Sequence, residues 1–347
     1  EPREMPGVRV YRPLNVLRVR NLSIGPSLAK AILDVSLFFT ALRLAMKNRY
    51  AVIHGIEDAG PIAVVVAALT RAKMIFEKHS DPGSYKKGLL RNLVMVLYGK
   101  AEAFSIRHAD AVIGTGPGLV KQALEIAPNK PAYHIFDIPS SLVEADLEVV
   151  KKVRAQLHKE PGELLAIYVG SFAVYQGIDL MFASMPEVVR KHGRVRFVII
   201  GGTKEEIEQK RAWLANRGIE QNVSFIGKIP PDELPNYLSA ADILLSPRIA
   251  GTNTPLKLLD YLKAGGAIVA SDNAANRLIL DETTAMLVNP EPSEFAAGIC
   301  RLVEDPALRQ RLAEKGRSLI DQTYNYGEFK RRLQGCYEQV LSRRSPP

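Results

Sequence analysis

The chain has 347 residues, of which 47% are hydrophobic and 24% are charged. This is the composition of a soluble globular protein, and the length suffices for two domains that each bury a core. The longest apolar stretch, AILDVSLFFTALRLAM, is interrupted by Asp34 and Arg43, which excludes a membrane span of about 18 uncharged residues. Cys300 and Cys336 lack metal-ligand spacing, so we expect reduced thiols and no metal site.

Positive charge is concentrated in the first half of the chain. Residues 1–162 contain 23 Lys and Arg against 15 Asp and Glu, a net charge of +8, which leaves +1 of the total of +9 for the remainder. Such a bias indicates an anionic partner, namely a lipid surface, a phosphorylated acceptor or nucleic acid. A solvated basic surface with no partner is the alternative.

Strands and helices alternate along the first half. VRVYRP, YAVIHG, AKMIFEKHS, ADAVIGTG and AYHIFDIP are predicted strands, and PSLAKAILDVSLFFTALRLAMKN and LLRNLVMVLYGKAEAFSIRH are predicted helices. Nothing before VRVYRP has room for a full strand-helix unit, so the first domain is predicted to lack its first unit. The helix that starts at Leu89 has an apolar stripe with basic neighbours, which fits either an anionic membrane interface or, more simply, the core.

The second half alternates more regularly. ELLAIYVG, VRFVIIGG, VSFIGKI, ADILLSP and GAIVAS are predicted strands, separated by amphipathic helical segments that end at glycine. This order predicts a parallel sheet covered by helices on both faces, with ligands at the carboxyl ends of the strands. The polar segment RAQLHKEPGE, residues 154–163, is the predicted domain boundary.

Two motifs of the first half follow strands. GTGPGL, residues 114–119, resembles a dinucleotide-binding fingerprint, but Leu119 stands where the third glycine belongs, so a tight turn is favoured over an NAD-type site. His79 lies at the end of the predicted strand AKMIFEKHS and is a candidate site residue, since a histidine at a strand end can face a ligand.

The stretch SPRIAGTNTPLKLLDYLKAGGAIVASD, residues 246–272, contains the strongest candidate for an anion site. Thr254 is predicted to cap a helix that Pro255 opens, and the start of that helix offers free amides and a positive dipole end. Lys257, in the first turn of the predicted helix, adds a full positive charge. Asp260 lies on the same helical face, and a carboxylate there can accept hydrogen bonds from a ribose diol.

Taken together, these segments closely resemble the nucleotide-binding domain of the retaining group-4 family of GT-B glycosyltransferases (glycosyl transferases group 1 type). The resembling pieces are IYVGSFAVYQGIDLMFASMPEV, FVIIGG, FIGKIPPDELPNYLSAADILLSPR and GTNTPLKLLDYLKAGGAIVASD. YAVIHGIEDA, FEKHSDP and HADAVIGTGPGLVKQAL match the family's first domain more loosely. The resemblance implies an α/β GT-B fold with two Rossmann-like domains facing a cleft. The expected divisions are an acceptor-side domain at 1–155, a nucleotide-sugar domain at 163–322 and a helix at 323–347 that crosses back to the first domain.

The resemblance also assigns residues. Asp260 matches the second acid of the family's Glu-x7-Glu motif, and Thr252 stands where the first acid would be. Ser171 and Gln176 replace the family's phosphate-binding Arg and Lys, and Arg248 and Lys257 are the candidates to restore that charge. Further donor contacts are expected from the nucleobase side and from the diphosphate loop, at Gly227, Lys228, Gly251, Asn253, Thr254 and Leu256. His79 matches the family's histidine near the transferred sugar, and no cofactor or metal is implied.

The expected activity is transfer of a sugar, with retention, from a nucleotide diphosphate donor to a lipid-linked, polysaccharide or other envelope acceptor. It would take place in the cytoplasm or at the inner face of the membrane, with no nucleic-acid partner. The uncharged Ser171 and Gln176 and the missing first strand leave an alternative from another class. In that alternative the chain is a non-catalytic GT-B subunit that binds a membrane or a partner protein. The missing first strand by itself indicates a truncated chain, a second polypeptide that completes the first domain, or altered acceptor binding.

Overall fold

The computed structural model describes residues 7–15, 28–80, 89–158, 160, 162–251 and 254–342. The chain divides into two compact units, one formed by residues 1–136 and 331–347 and the other by residues 137–330. In the described part of the chain, the helices and strands alternate nearly throughout, as the sequence pattern predicts.

The first unit contains a parallel sheet with the strand order β1-β2-β3-β4. Its helices and strands, in chain order, are α1 (Leu28–Asn48), β1 (Val52–Ile56), α2 (Gly60–Thr70), β2 (Lys73–Lys78), α3 (Leu89–His108), β3 (Ala111–Gly114), α4 (Pro117–Ile126) and β4 (Ala132–His134). The core includes Ala63 and Ala67 of α2, Phe76 of β2 and Ile106 of α3. Helix α12 (Tyr326–Ser342) ends in this unit.

The second unit contains a larger parallel sheet with the strand order β10-β9-β8-β5-β6-β7. It is built from α5 (Leu147–Leu157), β5 (Leu164–Val169), α6 (Ile178–Lys191), β6 (Val195–Ile200), α7 (Lys204–Ala215), β7 (Val223–Gly227), α8 (Leu234–Ser239), β8 (Ile243–Ser246), α9 (Leu256–Ala264), β9 (Ala267–Ser271), β10 (Met286–Val288), α10 (Pro292–Glu304) and α11 (Pro306–Gln322).

Both faces of this larger sheet are buried. Along β5, Ala166 and Tyr168 belong to one apolar cluster, and Leu165 and Ile167 belong to the other. A strand covered on both faces is apolar at successive positions. This is why the strands of the second half are continuous Leu-, Ile- and Val-rich runs.

The predicted strand VRVYRP does not form. Residues 8–15 are irregular, and Val8, Val10 and Leu14 are exposed, Leu14 by 77%. Alternating apolar residues stabilise a strand only when a neighbouring strand satisfies the backbone and a core receives the side chains. The segment has neither among the described residues. Side chains of residues 89–95, which carry most of the predicted stripe on α3, lie outside the described residues.

The division between the units differs from the predicted boundary. Residues 137–158 belong to the second unit, because α5 packs there through Val153 and Leu157. Arg154 of the same helix donates to both carboxylate oxygens of Asp242 at 2.9 Å. The polar segment at 154–163 therefore connects α5 to β5 within one unit. No helix of the described residues is long and apolar enough to cross a bilayer.

Candidate functional site

A cavity of ≈ 560 Å³ opens at the carboxyl ends of β5, β6 and β7. In parallel α/β sheets this end of the strands is where ligands bind. The residues that line it come from the loops after these strands: Gly170, Ser171, Phe172, Gly201, Gly202, Thr203, Lys228 and Ile229, among others. Ser171 and Lys228, two of the residues expected to contact the donor, are among them.

Two successive glycines shape the cavity. Gly201 has φ +120°, and a Cβ atom on it would lie 2.0 Å from the carbonyl oxygen of Gly170. Gly202 has φ +79° and contacts the ring of Phe172, which a Cβ atom would approach to 2.9 Å. Only glycine allows both the backbone conformation and this close approach. The Gly-Gly pair at the end of VRFVIIGG is the sequence signal that would have identified these positions.

The expected nucleobase side of the site is at the end of β7. Gly227 has φ +74°, with open space where a Cβ atom would be, and its carbonyl oxygen accepts a 2.7 Å hydrogen bond from the amide of Gly201. Lys228 follows and lines the cavity. Ser171, on the opposite loop, is exposed, and its carbonyl oxygen accepts a 2.9 Å hydrogen bond from the hydroxyl of Tyr168.

Lys257 is a partly buried cation beside neutral groups. Its Nζ donates a 2.8 Å hydrogen bond to the side-chain oxygen of Gln176 and lies 4.5 Å from the centroid of the Tyr168 ring. Burial, reinforced by the positive charge of Arg248, lowers the pKa of Lys257 to about 7, because desolvation disfavours the charged form. A bound anion would reverse that effect.

Arg248 lies in the loop that follows β8 and is largely buried. Its Nε donates a 2.8 Å hydrogen bond to the carbonyl oxygen of Ala250, and its guanidinium carbon lies 5.6 Å from the centroid of the Tyr175 ring. Gly251, with φ +106°, makes this packing possible, because a Cβ atom there would lie 2.1 Å from Nη2 of Arg248. Arg248 belongs to the loop after β8 and Tyr175 to the loop after β5. These two loops therefore pack together through the side chains of Arg248 and Tyr175.

The start of α9 differs from the prediction. The helix begins at Leu256, and Pro255 occupies the cap position with no side-chain hydrogen bond, so Thr254 does not cap the helix. Proline at the cap lacks an N–H and cannot supply a capping side chain. Thr252 and Asn253 lie outside the described residues, and Leu256 is exposed. Lys257 is thus in the first turn of the helix.

Asp260 is already engaged in hydrogen bonds. Its Oδ1 accepts a 2.7 Å bond from the amide of Ser140, and its Oδ2 accepts a 2.7 Å bond from the hydroxyl of Ser140. Burial raises the pKa of Asp260, and the bonds from Ser140 partly offset this. The carboxylate lines a small cleft with Ser141 and Lys263 and not the larger cavity after β5, β6 and β7.

His79 lies in the first unit, directly after β2. Its Nε2 is 2.7 Å from Oε1 of Glu77, and its side chain is 38% exposed. Its amide donates to Oε1 of Glu57, and the hydroxyl of Ser80 donates a 2.9 Å bond to the other oxygen of Glu57. Glu57 adopts a left-handed backbone with φ 50°, which is uncommon for a non-glycine residue and occurs often at functional sites.

Most of the second unit matches a known protein family. Residues 149–319 match the family described as glycosyl transferases group 1. This range spans β5 to α11 and contains both the cavity and Lys257. The second unit of this chain is therefore similar to the group 1 glycosyl transferases over these residues.

Among curated proteins, the chain is 27% identical over 192 residues to alpha-D-kanosaminyltransferase of Streptomyces kanamyceticus, covering 54% of this chain and 49% of that protein. It is 24% identical over 168 residues to the phosphatidyl-myo-inositol mannosyltransferase of Mycolicibacterium smegmatis, covering 48% and 42%. In both cases the chain spans less than half of the relative's length.

Solved structures match over both units. HepE of Anabaena, solved in complex with UDP, has a TM-score of 0.72 at 16% identity, with 91% of this chain and 84% of that chain covered. Sucrose-phosphate synthase of Thermosynechococcus elongatus has a TM-score of 0.69 at 19% identity, with coverage of 90% and 79%. At these identities the likeness shows the fold, which is the α/β GT-B fold. This confirms the fold class predicted from the sequence.

Proposed function

We propose that this chain transfers a sugar from a nucleoside diphosphate donor to an acceptor hydroxyl, and that the donor binds in the cavity after β5, β6 and β7. The cavity is large enough for a nucleotide, and it is built from close-packed glycine loops of the kind that bring backbone amides near phosphates. The match of residues 149–319 to the group 1 family supports the same reaction class.

The main support for the proposal is the environment of the Lys257 side chain. The contacts that the structure gives its ammonium group are the neutral amide of Gln176 and the ring of Tyr168. A partly buried lysine beside neutral groups costs stability unless a ligand supplies the missing negative charge. The donor diphosphate is that ligand in our proposal, and Arg248 contributes further positive charge nearby.

The mechanism that we propose needs positioning and charge stabilisation. Negative charge grows on the leaving diphosphate as the bond to the sugar breaks, so a lysine held against it stabilises the transition state more than the ground state. Retention of anomeric configuration, a role for His79 near the sugar and an envelope or lipid-linked acceptor complete the proposal. The similarity to a phosphatidyl-myo-inositol mannosyltransferase supports the acceptor class.

Calorimetric titration of the full chain with UDP, GDP, ADP and dTDP tests donor binding, with Lys257→Met as the matched variant. We expect one or more of these nucleotides to bind and the variant to lose about 10- to 100-fold in affinity, the usual value of a hydrogen bond to a charged group. NMR of the anomeric proton during transfer or slow donor hydrolysis then tests retention.

Two results would count against the proposal. Equal nucleotide affinity of the parent and Lys257→Met would place the diphosphate elsewhere. Absence of binding by every nucleoside diphosphate would favour the non-catalytic alternative.

A further inference from the structure

Four side chains of the first unit, His79, Glu77, His54 and Tyr337, form a continuous row of short polar contacts. Glu77 of β2 lies between two histidines: its Oε2 is 2.9 Å from Nε2 of His54, and its Oε1 is 2.7 Å from Nε2 of His79. At the other edge of His54, Nδ1 is 2.7 Å from the hydroxyl of Tyr337 on α12. Parallel pairing of β1 with β2 sets this arrangement, since residues 54 and 77 are near each other at the carboxyl ends of neighbouring strands.

The chemistry of the row fixes where its protons lie. Burial opposes the ionisation of Glu77, but the hydrogen bonds from His54 and His79 outweigh it and lower the pKa of Glu77 to about 2. An ionised carboxylate only accepts hydrogen bonds, so Nε2 of His79 carries a hydrogen. The negative charge 2.9 Å from Nε2 of His54 favours a hydrogen on that nitrogen as well. The hydroxyl of Tyr337 can then donate to Nδ1 of His54.

We propose that Glu77 is a positioning residue that favours the Nε2–H form of both imidazoles, so that Nδ1 is the nitrogen of His79 that carries no hydrogen when the ring is neutral. The functional part of this inference rests on the proposed role of His79 in glycosyl transfer. Tyr337 contacts His54 at the far end of the row. Helix α12 is therefore connected to the tautomer of His79 through His54 and Glu77. An imidazole whose tautomer is set by a carboxylate presents one defined nitrogen to its ligand.

The other charged and titratable groups around the row leave this assignment intact. Glu57, from the turn after β1, accepts from the amide of His79 and the hydroxyl of Ser80. Lys78 is paired with Glu102 at 2.6 Å. Cys336 of α12 is buried, and burial raises the pKa of its thiol to about 11, so it is neutral at physiological pH.

Long-range 1H–15N correlation spectra of the ¹⁵N-histidine-labelled full chain at pH 8 test the proposal, because they distinguish the two imidazole tautomers. We expect His54 and His79 in the Nε2–H form. His108 serves as an internal reference: its Nδ1 lies 2.8 Å from the carbonyl oxygen of Phe104, which requires the opposite form. An Nδ1–H signal from His79 in the parent chain would overturn the proposal without any variant.

Glu77→Gln provides the second arm. The new amide can accept from one imidazole but must donate to the other, so one histidine has to switch to the Nδ1–H form. Because the hydroxyl of Tyr337 can accept from Nδ1–H of His54 as well as donate to Nδ1, either histidine can switch, and we expect a new Nδ1–H signal from one of the two. Spectra of both histidines that are unchanged in Glu77→Gln would overturn the proposal.

Measurements of sugar transfer distinguish a failure of this inference from a failure of the proposed function. We expect Glu77→Gln to lower kcat with little change in the KM for the donor, because a carboxylate no longer fixes the tautomer of His79. If the spectra agree with the assignment but the parent transfers no sugar, the proposed function fails and the tautomer assignment stands. If transfer by Glu77→Gln equals that of the parent, Glu77 has no positioning role and this inference fails.

Discussion

Lys257 donates its 2.8 Å hydrogen bond to Gln176, a residue 81 positions away in the chain. The resemblance described above places a phosphate-binding lysine of the family at position 176, which suggested a lost charge. In the structure the ammonium group of Lys257 lies against that position from helix α9. The positive charge at this end of the sheet is therefore supplied by a different element.

This relationship predicts a pH dependence of nucleotide binding. The pKa of Lys257 is lowered to about 7 in the free protein, and a bound diphosphate raises it, so binding takes up a proton. The affinity is greatest below pH 7 and falls by up to tenfold per pH unit above it, until the pKa of the complex is reached. Titration in buffers of different ionisation enthalpy at pH 8 measures the uptake.

A matched control for this dependence is Lys263→Met. Lys263 is at the other end of α9, and its charge is paired with Glu144 at 3.3 Å. We expect the Lys263 variant to keep the proton uptake and Lys257→Met to abolish it. The same uptake in both variants would assign the titration to another group.

The same lysine is predicted to reduce the stability of the free protein. Between pH 7 and the ordinary pKa of 10.5, the unfolded chain binds more protons than the folded chain, so the free energy of unfolding rises with pH through this window. Lys257→Met removes that cost. We expect the variant to be more stable than the parent at pH 7, with the difference shrinking by pH 10, in urea unfolding at both pH values. A variant less stable than the parent at pH 7 would contradict this.

Gly177 is predicted to be essential to the loop that carries Gln176. It has φ +71°, and a Cβ atom there would lie 1.8 Å from the carbonyl oxygen of Pro247. Gly265 has a similar φ of +76° with nothing within 4 Å of a Cβ atom. We expect Gly265→Ala to cost about 1–2 kcal/mol of unfolding free energy and Gly177→Ala a further ~1–3 kcal/mol. If thermal unfolding shows equal losses of unfolding free energy in Gly177→Ala and Gly265→Ala, the clash at Gly177 is relieved by a small shift of its neighbours.

Much of the fold is predictable from the sequence because local patterns determine it. Strands β5, β6, β8 and β9 are apolar runs bounded by Gly, Pro or Ser, and helix α3 has the predicted bounds Leu89–His108. These predictions are confirmed. The prediction of a strand at VRVYRP was wrong, since the alternation of apolar residues along one segment cannot reveal whether a neighbouring strand exists to pair with it.

The candidate site is less predictable because its contacts join distant parts of the chain. Lys257 and Asp260 were identified from their place in one helix, but the partners Gln176 and Ser140 are set by packing within the second unit. Tyr168 was hidden in an apolar run, where nothing local distinguishes it from a core residue. The roles of the site residues stay predictions.

The last prediction concerns Asp260, for which a ribose contact and a structural role lead to different outcomes. Each carboxylate oxygen accepts one 2.7 Å bond from Ser140, and the carboxylate also accepts from the amide of Ser141. One of its roughly four acceptor positions then remains for a ribose hydroxyl. If Asp260 binds ribose, Asp260→Ala should weaken nucleoside diphosphate binding by about 1.5–3 kcal/mol. Ser140→Ala should leave that affinity intact, because the amide of residue 140 still donates to Oδ1.

Calorimetry and urea unfolding of the two variants separate the roles. We expect Ser140→Ala to lower the unfolding free energy by about 1 kcal/mol, since one hydrogen bond to a half-buried carboxylate is lost. If Asp260 also binds ribose, Asp260→Ala should lower both the stability and the affinity. If Asp260→Ala is destabilised but binds nucleotide as tightly as the parent, the carboxylate only anchors the segment at Ser140, and the ribose must be held by residues that line the cavity after β5, β6 and β7.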